Sequence, residues 1–236
     1  MSIKYVLFDL DGTLLPLNQD EFVKMYFGLL SKKMADHGYE PDALIKAIWS
    51  GMKAMHKNES SATNEEIFWN EFCKNFGQKA RNNEPCFAEF YENEFQTIKS
   101  ICGFKKEADE IIKYLKSKGV TIVLATNPVF PRIATLSRMR WAGLDINDFA
   151  LVTTYVNSYS CKPNLRYYKN ILEAIGAKEH ECLMVGNDVA EDMIVESLGL
   201  KVFLMTDCLI NKEEKEISHY PQGGFEQLKD YLETVL

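Results

Sequence analysis

No stretch of this chain approaches the roughly 18 consecutive apolar residues that a membrane-spanning helix needs, and none reads as an internal repeat or a low-complexity segment. Basic charge is also in short supply. Lys and Arg number 27 against 34 Asp and Glu, a formal net charge of -7, whereas a general nucleic-acid binder presents a basic face. The six cysteines (Cys73, Cys86, Cys102, Cys161, Cys182 and Cys208) include no CxxC pair and no metal-ligand spacing. The four histidines (His37, His56, His180 and His219) are too dispersed for a metal cluster. The first residues lead straight into an acidic motif, without the basic segment and cleavable apolar stretch of a secretory signal. These absences set the expectation of a cytoplasmic protein with reduced thiols, and with neither a membrane nor a nucleic acid as partner. The negative charge still allows a small anionic substrate, because a metal ion and one lysine make a locally positive pocket.

What the chain does have is core-forming material. Of its 236 residues, 46% are hydrophobic and 12% aromatic, which suits one domain with a large insertion or two modest domains. After residue 100 the pattern alternates. Lys106 to Lys118 is a helix, with Ala108, Ile111, Ile112 and Leu115 on one stripe and Gly119 as its stop. Thr121 to Ala125 is a strand, Pro131 to about Ala142 a helix, and Phe149 to Val156 a strand. Asn164 caps a helix that ends at Ile175 before Gly176. Cys182 to Val185 and Lys201 to Met205 are strands on either side of a helix from Ala190 to Leu198, and a last helix covers Phe225 to about Thr234. Such alternation implies an α/β fold with a doubly wound parallel sheet and right-handed crossovers. Ligands of such sheets bind outside the carboxyl ends of the strands.

Residues 16 to 100 read differently. They lack strand-like alternation, and Gly38, Pro41, Gly51, Gly77 and Pro85 break them into pieces. Phe22 to Met34, Asp42 to His56, Asn64 to Phe76 and Cys86 to Ile98 are expected helices, the third opened by a capping box between Thr63 and Glu66.

The chemistry-bearing residues cluster at strand ends. Asp9-Leu10-Asp11-Gly12-Thr13 follows the apolar run Tyr5 to Phe8. Alternate strand residues share a face, so Asp9 and Asp11 point the same way. Two neighbouring carboxylates repel unless a cation or a shared proton relieves them. Thr126-Asn127 ends the second strand, Lys162-Pro163 follows the third, and Gly186-Asn187-Asp188 with Asp192 follows the fourth. Taken singly, each has a plainer reading: a strand-ending turn, a solvated lysine before a helix, a solvated helix N-terminus.

Together, and in this order, the four motifs resemble those of the haloacid dehalogenase-like hydrolases, most of which are phosphatases. The resemblance covers about two thirds of the chain and implies a Rossmann-like catalytic core of residues 1–15 and 101–236, strand order 3-2-1-4-5. Residues 16–100 are then similar to the inserted helical cap of the C1 class. It further implies a Mg²⁺-dependent phosphatase acting on a small phosphorylated metabolite. Asp9 would be the nucleophile, forming an aspartyl-phosphate, and Asp11 the general acid and base. Thr126, Asn127 and Lys162 would bind the phosphoryl group. Asp9, Asp188 and the main-chain carbonyl of Asp11 would hold the metal, and Asp192 would hold a metal-bound water or orient Lys162. The family commonly has an acidic residue directly after the motif-four glycine, where this chain has Asn187. Aligning Asp188 preserves the Asp-x-x-x-Asp spacing, while Asn187 offers an amide oxygen at the neighbouring position.

Three other activities are weighed against this one. A phosphomutase similar to beta-phosphoglucomutase shares the helical cap and the paired aspartates. A 2-haloacid dehalogenase lacks the second acidic residue of the first motif and needs no metal, so Asp11 and Asp188 count against it. A phosphate-accepting signalling receiver carries similar residues but is about half this length. Within residues 16–100, Trp49, Lys53, His56 and Arg81 read as surface or packing residues ahead of substrate contacts.

Overall fold

In the computed structural model, which describes residues 2–236, Tyr5–Phe8 forms the central strand β1. Met1, part of the expected core segment, lies outside the described residues. Thr121–Leu124 (β2) and Cys182–Gly186 (β4) flank β1 in parallel, with Phe8 in register with Leu124 on one side and Val185 on the other. Leu151–Val152 (β3), Lys201–Met205 (β5) and Gln222–Gly223 (β6) complete a sheet of order β3-β2-β1-β4-β5-β6. The expected order of five strands is present, with β6 added at one edge. A two-residue strand ending in glycine carries no alternation by which to read it.

The pleat sends successive residues to opposite layers. Val6 and Phe8 join a large buried cluster with Lys106–Ser117 (α5), Arg132–Trp141 (α6) and Phe225–Val235 (α8). Leu7 joins a second cluster with Leu165–Ile175 (α7) and the 3₁₀ turns of Met193–Leu198. Both sheet faces are therefore covered, as a parallel sheet requires.

Between β1 and α5 the chain is helical: Gln19–Ala35 (α1), Pro41–His56 (α2), Asn64–Phe76 (α3) and Glu84–Glu92 (α4), with 3₁₀ turns at Gln78–Asn83 and Glu94–Ile101. Thr63 and Glu66 make the expected capping box. The interior of this block is aromatic: Phe72 packs against Trp69, Phe76 and Phe87 with ring centroids 5.1–5.7 Å apart. The two crossings into and out of the block touch. Gly103 N–H donates to the Pro16 carbonyl at 2.7 Å, and a Cβ on Gly103 would lie 2.9 Å from the Pro16 Cβ.

Three expected elements differ, each for a local reason. The helix expected over Cys86 to Ile98 ends at Glu92, where Asn93 turns its side chain back to the Glu89 carbonyl (2.9 Å) and competes with the helical bonds. The strand expected over Phe149 to Val156 pairs over two residues only. Beyond them the Asn157 amide takes over, accepting from Thr154 N–H and donating to the Val152 carbonyl. After β4, the Asp188 carboxylate accepts from the N–H groups of Ala190 and Glu191, and the segment that follows winds as 3₁₀ rather than α-helix. No described helix is long and apolar enough to cross a membrane, and all six cysteines are free thiols.

Candidate active site

Asp9 leaves β1 still held by the sheet, its N–H donating to the Val185 carbonyl at 2.9 Å. The chain then folds back at once, with Gly12 N–H bonded to the Leu15 carbonyl at 2.8 Å. Two facts demand glycine at position 12. Its φ is +88°, in the region that side chains resist, and a Cβ there would sit 2.9 Å from the Asn187 Cγ. The Thr13 hydroxyl lies 2.9 Å from Asn187 Oδ1 and 3.3 Å from Asp9 Oδ2. The loop after β1 is thereby pinned to the loop after β4.

Lys162 joins the motifs. Its side chain is 1% exposed, and Nζ lies 2.8 Å from Asp9 Oδ1 and 2.6 Å from Asp192 Oδ1. Burial works against the ammonium charge, but the Asp192 and Asp9 carboxylates outweigh it and hold Lys162 protonated well above the ordinary lysine range. Burial also pushes the Asp192 carboxyl up to about 7, against the pull of Lys162. The other Asp192 oxygen accepts from Asp188 N–H at 3.0 Å, so this residue orients both Lys162 and the turn that carries Asp188.

Thr126 and Asn127 follow β2. The Thr126 carbonyl lies 2.8 Å from the hydroxyls of both Thr153 and Tyr167, which fixes the turn from behind. Asn127 Nδ2 spans both oxygens of Glu191 at 3.1 and 3.2 Å. The Glu191 carboxyl is raised by burial. The Asn187 amide is committed at both ends, Oδ1 to Thr13 and Nδ2 to the Cys208 carbonyl at 2.7 Å.

Asp9, Asp11, Thr126, Asn127, Asn187, Asp188 and Asp192 all line one cavity of about 280 Å³, with Lys162 buried beneath it. The expected site residues are therefore brought together. The opposite wall comes from α1 and α2, through Phe22, Val23, Tyr26, Phe27, Trp49, Met52 and His56. Trp49 and His56, read as surface or packing residues, face this cavity. Lys53 does not line it, and Arg81 packs instead over the Trp69 ring. Asp11 has a partner that no motif announced. Arg138 on α6 donates to Asp11 Oδ2, while Asp11 Oδ1 is buried with no partner. Burial raises the Asp11 carboxyl, and Arg138 opposes that rise.

The haloacid dehalogenase-like hydrolase family matches residues 3–195. The chain belongs to that family. A relative is the pyrophosphatase PpaX of Halalkalibacterium halodurans, 24% identical over 235 residues, a span that takes in 100% of this chain and 98% of the relative. Among solved structures, a 2-haloacid dehalogenase from Pseudomonas syringae pv. tomato superposes with a TM-score of 0.63 at 16% identity, covering 98% of this chain and 99% of that one. A haloacid dehalogenase-family phosphatase from Thermococcus onnurineus gives 0.58 at 18% identity, covering 98% of both chains. At those identities the superpositions speak for the fold.

As a haloacid dehalogenase-like hydrolase, the chain is a hydrolytic enzyme with a parallel α/β core. Sequence reasoning missed Arg138, Glu191 and the bracing role of Thr13. For Arg138 a signal existed, since it interrupts the stripe Ala134, Arg138, Ala142 on the core-facing side of α6. Glu191 gave none beyond its place between two expected site residues.

Proposed function

We propose that this enzyme is a Mg²⁺-dependent phosphatase that hydrolyses a small phosphorylated metabolite through an aspartyl-phosphate on Asp9. The observation that carries the reading is the pairing of Asp9 with the buried Lys162, 2.8 Å apart at the end of the central strand. A nucleophilic carboxylate needs a fixed cation beside it if an anionic phosphoryl group is to approach. In this reading Asp9 attacks phosphorus, and Lys162, the Thr126 hydroxyl and the Asn127 N–H hold the phosphoryl oxygens. Asp11 gives a proton to the leaving oxygen and later takes one from the attacking water.

The donor set fits Mg²⁺. Among the described residues no three His, Cys, Asp or Glu side chains converge to cage a metal by themselves. Two carboxylates, Asp9 and Asp188, with the Asp11 main-chain carbonyl make an all-oxygen set that leaves positions for water and substrate phosphate, which is how Mg²⁺ is usually held. Asn187 Oδ1 accepts from Thr13 and Asp188 Oδ1 accepts from the N–H groups of Ala190 and Glu191; Asp188, whose charge and second oxygen suit a cation, is taken as the ligand after β4. Bound there, Mg²⁺ would offset the repulsion between the substrate and four clustered aspartates. Asp192 acts behind Lys162 and the Asp188 turn.

Residues 16–100 are read as a cap over a core of residues 1–15 and 101–236, because α1 and α2 wall the cavity from the far side. Phe22, Val23, Phe27, Trp49 and Met52 on that wall favour a leaving group with apolar surface. The lining residues with basic side chains are His56 and Lys212, a thin provision for the second phosphate a mutase would handle. Free cysteines and the lack of a described membrane helix support a cytoplasmic setting. The test is phosphate release from a panel of phosphorylated metabolites with and without Mg²⁺, together with chemical trapping of the phosphorylated enzyme. Trapped phosphate on Asp9 is the expected result. Turnover with no phosphoenzyme, or no turnover on any phosphate ester, would overturn the reading.

A further inference from the structure

Arg138 is 1% exposed, and a buried guanidinium is unfavourable unless its donors are matched. Its contacts on its own helix are long: Nε to the Ala134 carbonyl at 3.4 Å and Nη2 to Thr135 Oγ1 at 3.5 Å. The close partner is Asp11 Oδ2. The guanidinium also lies against two aromatic rings, with Cζ 4.6 Å from the Phe130 centroid and 5.9 Å from that of Phe22. Both rings wall the cavity, Phe22 from α1 and Phe130 from the loop after β2. One buried cation thus ties α6, the cavity wall and one oxygen of Asp11 together.

The asymmetry at Asp11 gives this arrangement its meaning. A carboxyl that must give and accept a proton at one place needs a defined oxygen facing the reacting atoms. Oδ2 is held by Arg138 and Oδ1 is buried with no protein partner, so among the described residues Arg138 fixes how the carboxyl is turned. We propose that Arg138 is a positioning residue that holds the Asp11 carboxyl in the orientation from which it exchanges a proton with the leaving group. The inference rests on the phosphatase reading above. As the bond from Asp9 to phosphorus forms and the ester P–O bond breaks, the proton on the Asp11 carboxyl passes to the leaving oxygen. When water attacks the phosphorus, its proton returns to the Asp11 carboxyl, the Asp9–phosphorus bond breaks and inorganic phosphate leaves.

The role is separable from simple packing through the leaving group. A departing oxygen that is already a stable anion needs no proton, whereas an alkoxide does. The comparison is kcat/KM, which reports the steps up to release of the leaving group, for glycerol phosphate, phenyl phosphate and dinitrophenyl phosphate, in wild type, Arg138→Met and Arg138→Lys. In Arg138→Met the alkyl ester should lose about 100-fold and the dinitrophenyl ester less than about threefold, with Arg138→Lys recovering part of the loss. Far-ultraviolet circular dichroism checks the fold. If Arg138→Met does not fold, Arg138→Lys carries the same comparison and should lose more on the alkyl than on the dinitrophenyl ester. Equal losses on all three substrates in the folded variant would make Arg138 a packing residue and overturn the inference. Wild-type enzyme that hydrolyses none of the esters, or an Asp9→Asn variant that still does, would instead overturn the phosphatase reading, and this inference with it.

Discussion

Gly186 and Asp192 claim the same space: a Cβ on Gly186 would lie 2.6 Å from the Asp192 Cβ. The last residue of β4 is bare so that the Asp192 carboxylate can fold back over it, reach Lys162 and brace the Asp188 N–H. Gly186→Ala should therefore act through Asp192. The side chain has to move, and the Lys162 contact of 2.6 Å is lost with it. Stability should fall by about 1–3 kcal/mol, the usual range for overpacking, and phosphate release should fall with it. Urea unfolding measures the first, and an unchanged midpoint would show that Asp192 relaxes freely.

Asp9→Asn should abolish phosphate release and leave the fold intact. An amide is a poor nucleophile and a weak metal ligand. Lys162 would still keep Asp192 as a partner in the interior, so its charge would not be stranded. Turnover within about tenfold of wild type, with an unchanged far-ultraviolet spectrum, would remove Asp9 from the role.

Lys162→Met should be harder on the fold than Asp9→Asn. It leaves Asp9 and the 1%-exposed Asp192 buried without their cation. Breaking a buried pair from one side usually destabilises by about 3–5 kcal/mol. Urea unfolding of the two variants side by side is the measurement. Equal midpoints would mean that the two carboxylates shed their charge without Lys162.

Metal removal should stop catalysis. Activity should vanish in excess chelator and return with Mg²⁺. Ca²⁺ should inhibit, because it takes longer and more numerous oxygen contacts and would spoil the in-line geometry. Full phosphate release in chelator would sink the metal mechanism.

The layered fold and the strand-end motifs were legible because their causes are local. A buried parallel strand shows as a continuous apolar run such as Tyr5 to Phe8, and a glycine such as Gly176 (φ +65°) stops a helix by its own conformational freedom. What escaped was set by side chains that compete with the backbone or meet across the chain. Asn93 and Asn157 each divert main-chain bonds from an expected element, and nothing in their immediate neighbours announces it. The Arg138–Asp11 pair joins residues 127 positions apart, so only the stripe on α6 hinted that this arginine faces inward. Asn187 versus Asp188 was open in the sequence because both are oxygen donors. Both are also bonded within the protein, Asn187 Oδ1 to the Thr13 hydroxyl and Asp188 Oδ1 to the N–H groups of Ala190 and Glu191.

The block of residues 16–100 should move against the core, with substrate preference following the block and chemistry following the core. Its two crossings meet at a single point, the Gly103 N–H to Pro16 carbonyl bond of 2.7 Å. Two chain crossings held side by side act as one hinge. Closure would exclude bulk water while Asp9 attacks, and opening would admit water and release product. Trp49, 47% exposed and at the cavity rim, and Met52 beside it are the side chains to change. Trp49→Ala and Met52→Ala should alter the relative kcat/KM of apolar over polar phosphate esters by about 10-fold or more, the scale of pocket contacts of this size. Trapped phosphate on Asp9 should persist in both variants, because neither residue belongs to the hydrogen-bonded group of Asp9, Lys162 and Asp192. Hydrogen exchange reads the motion itself, through faster exchange at residues 14–17 and 100–104 in free enzyme than in enzyme held with a non-hydrolysable phosphate analogue. Uniform losses across all substrates, together with exchange at the crossings that the analogue leaves unchanged, would show that the block is a fixed wall and no cap.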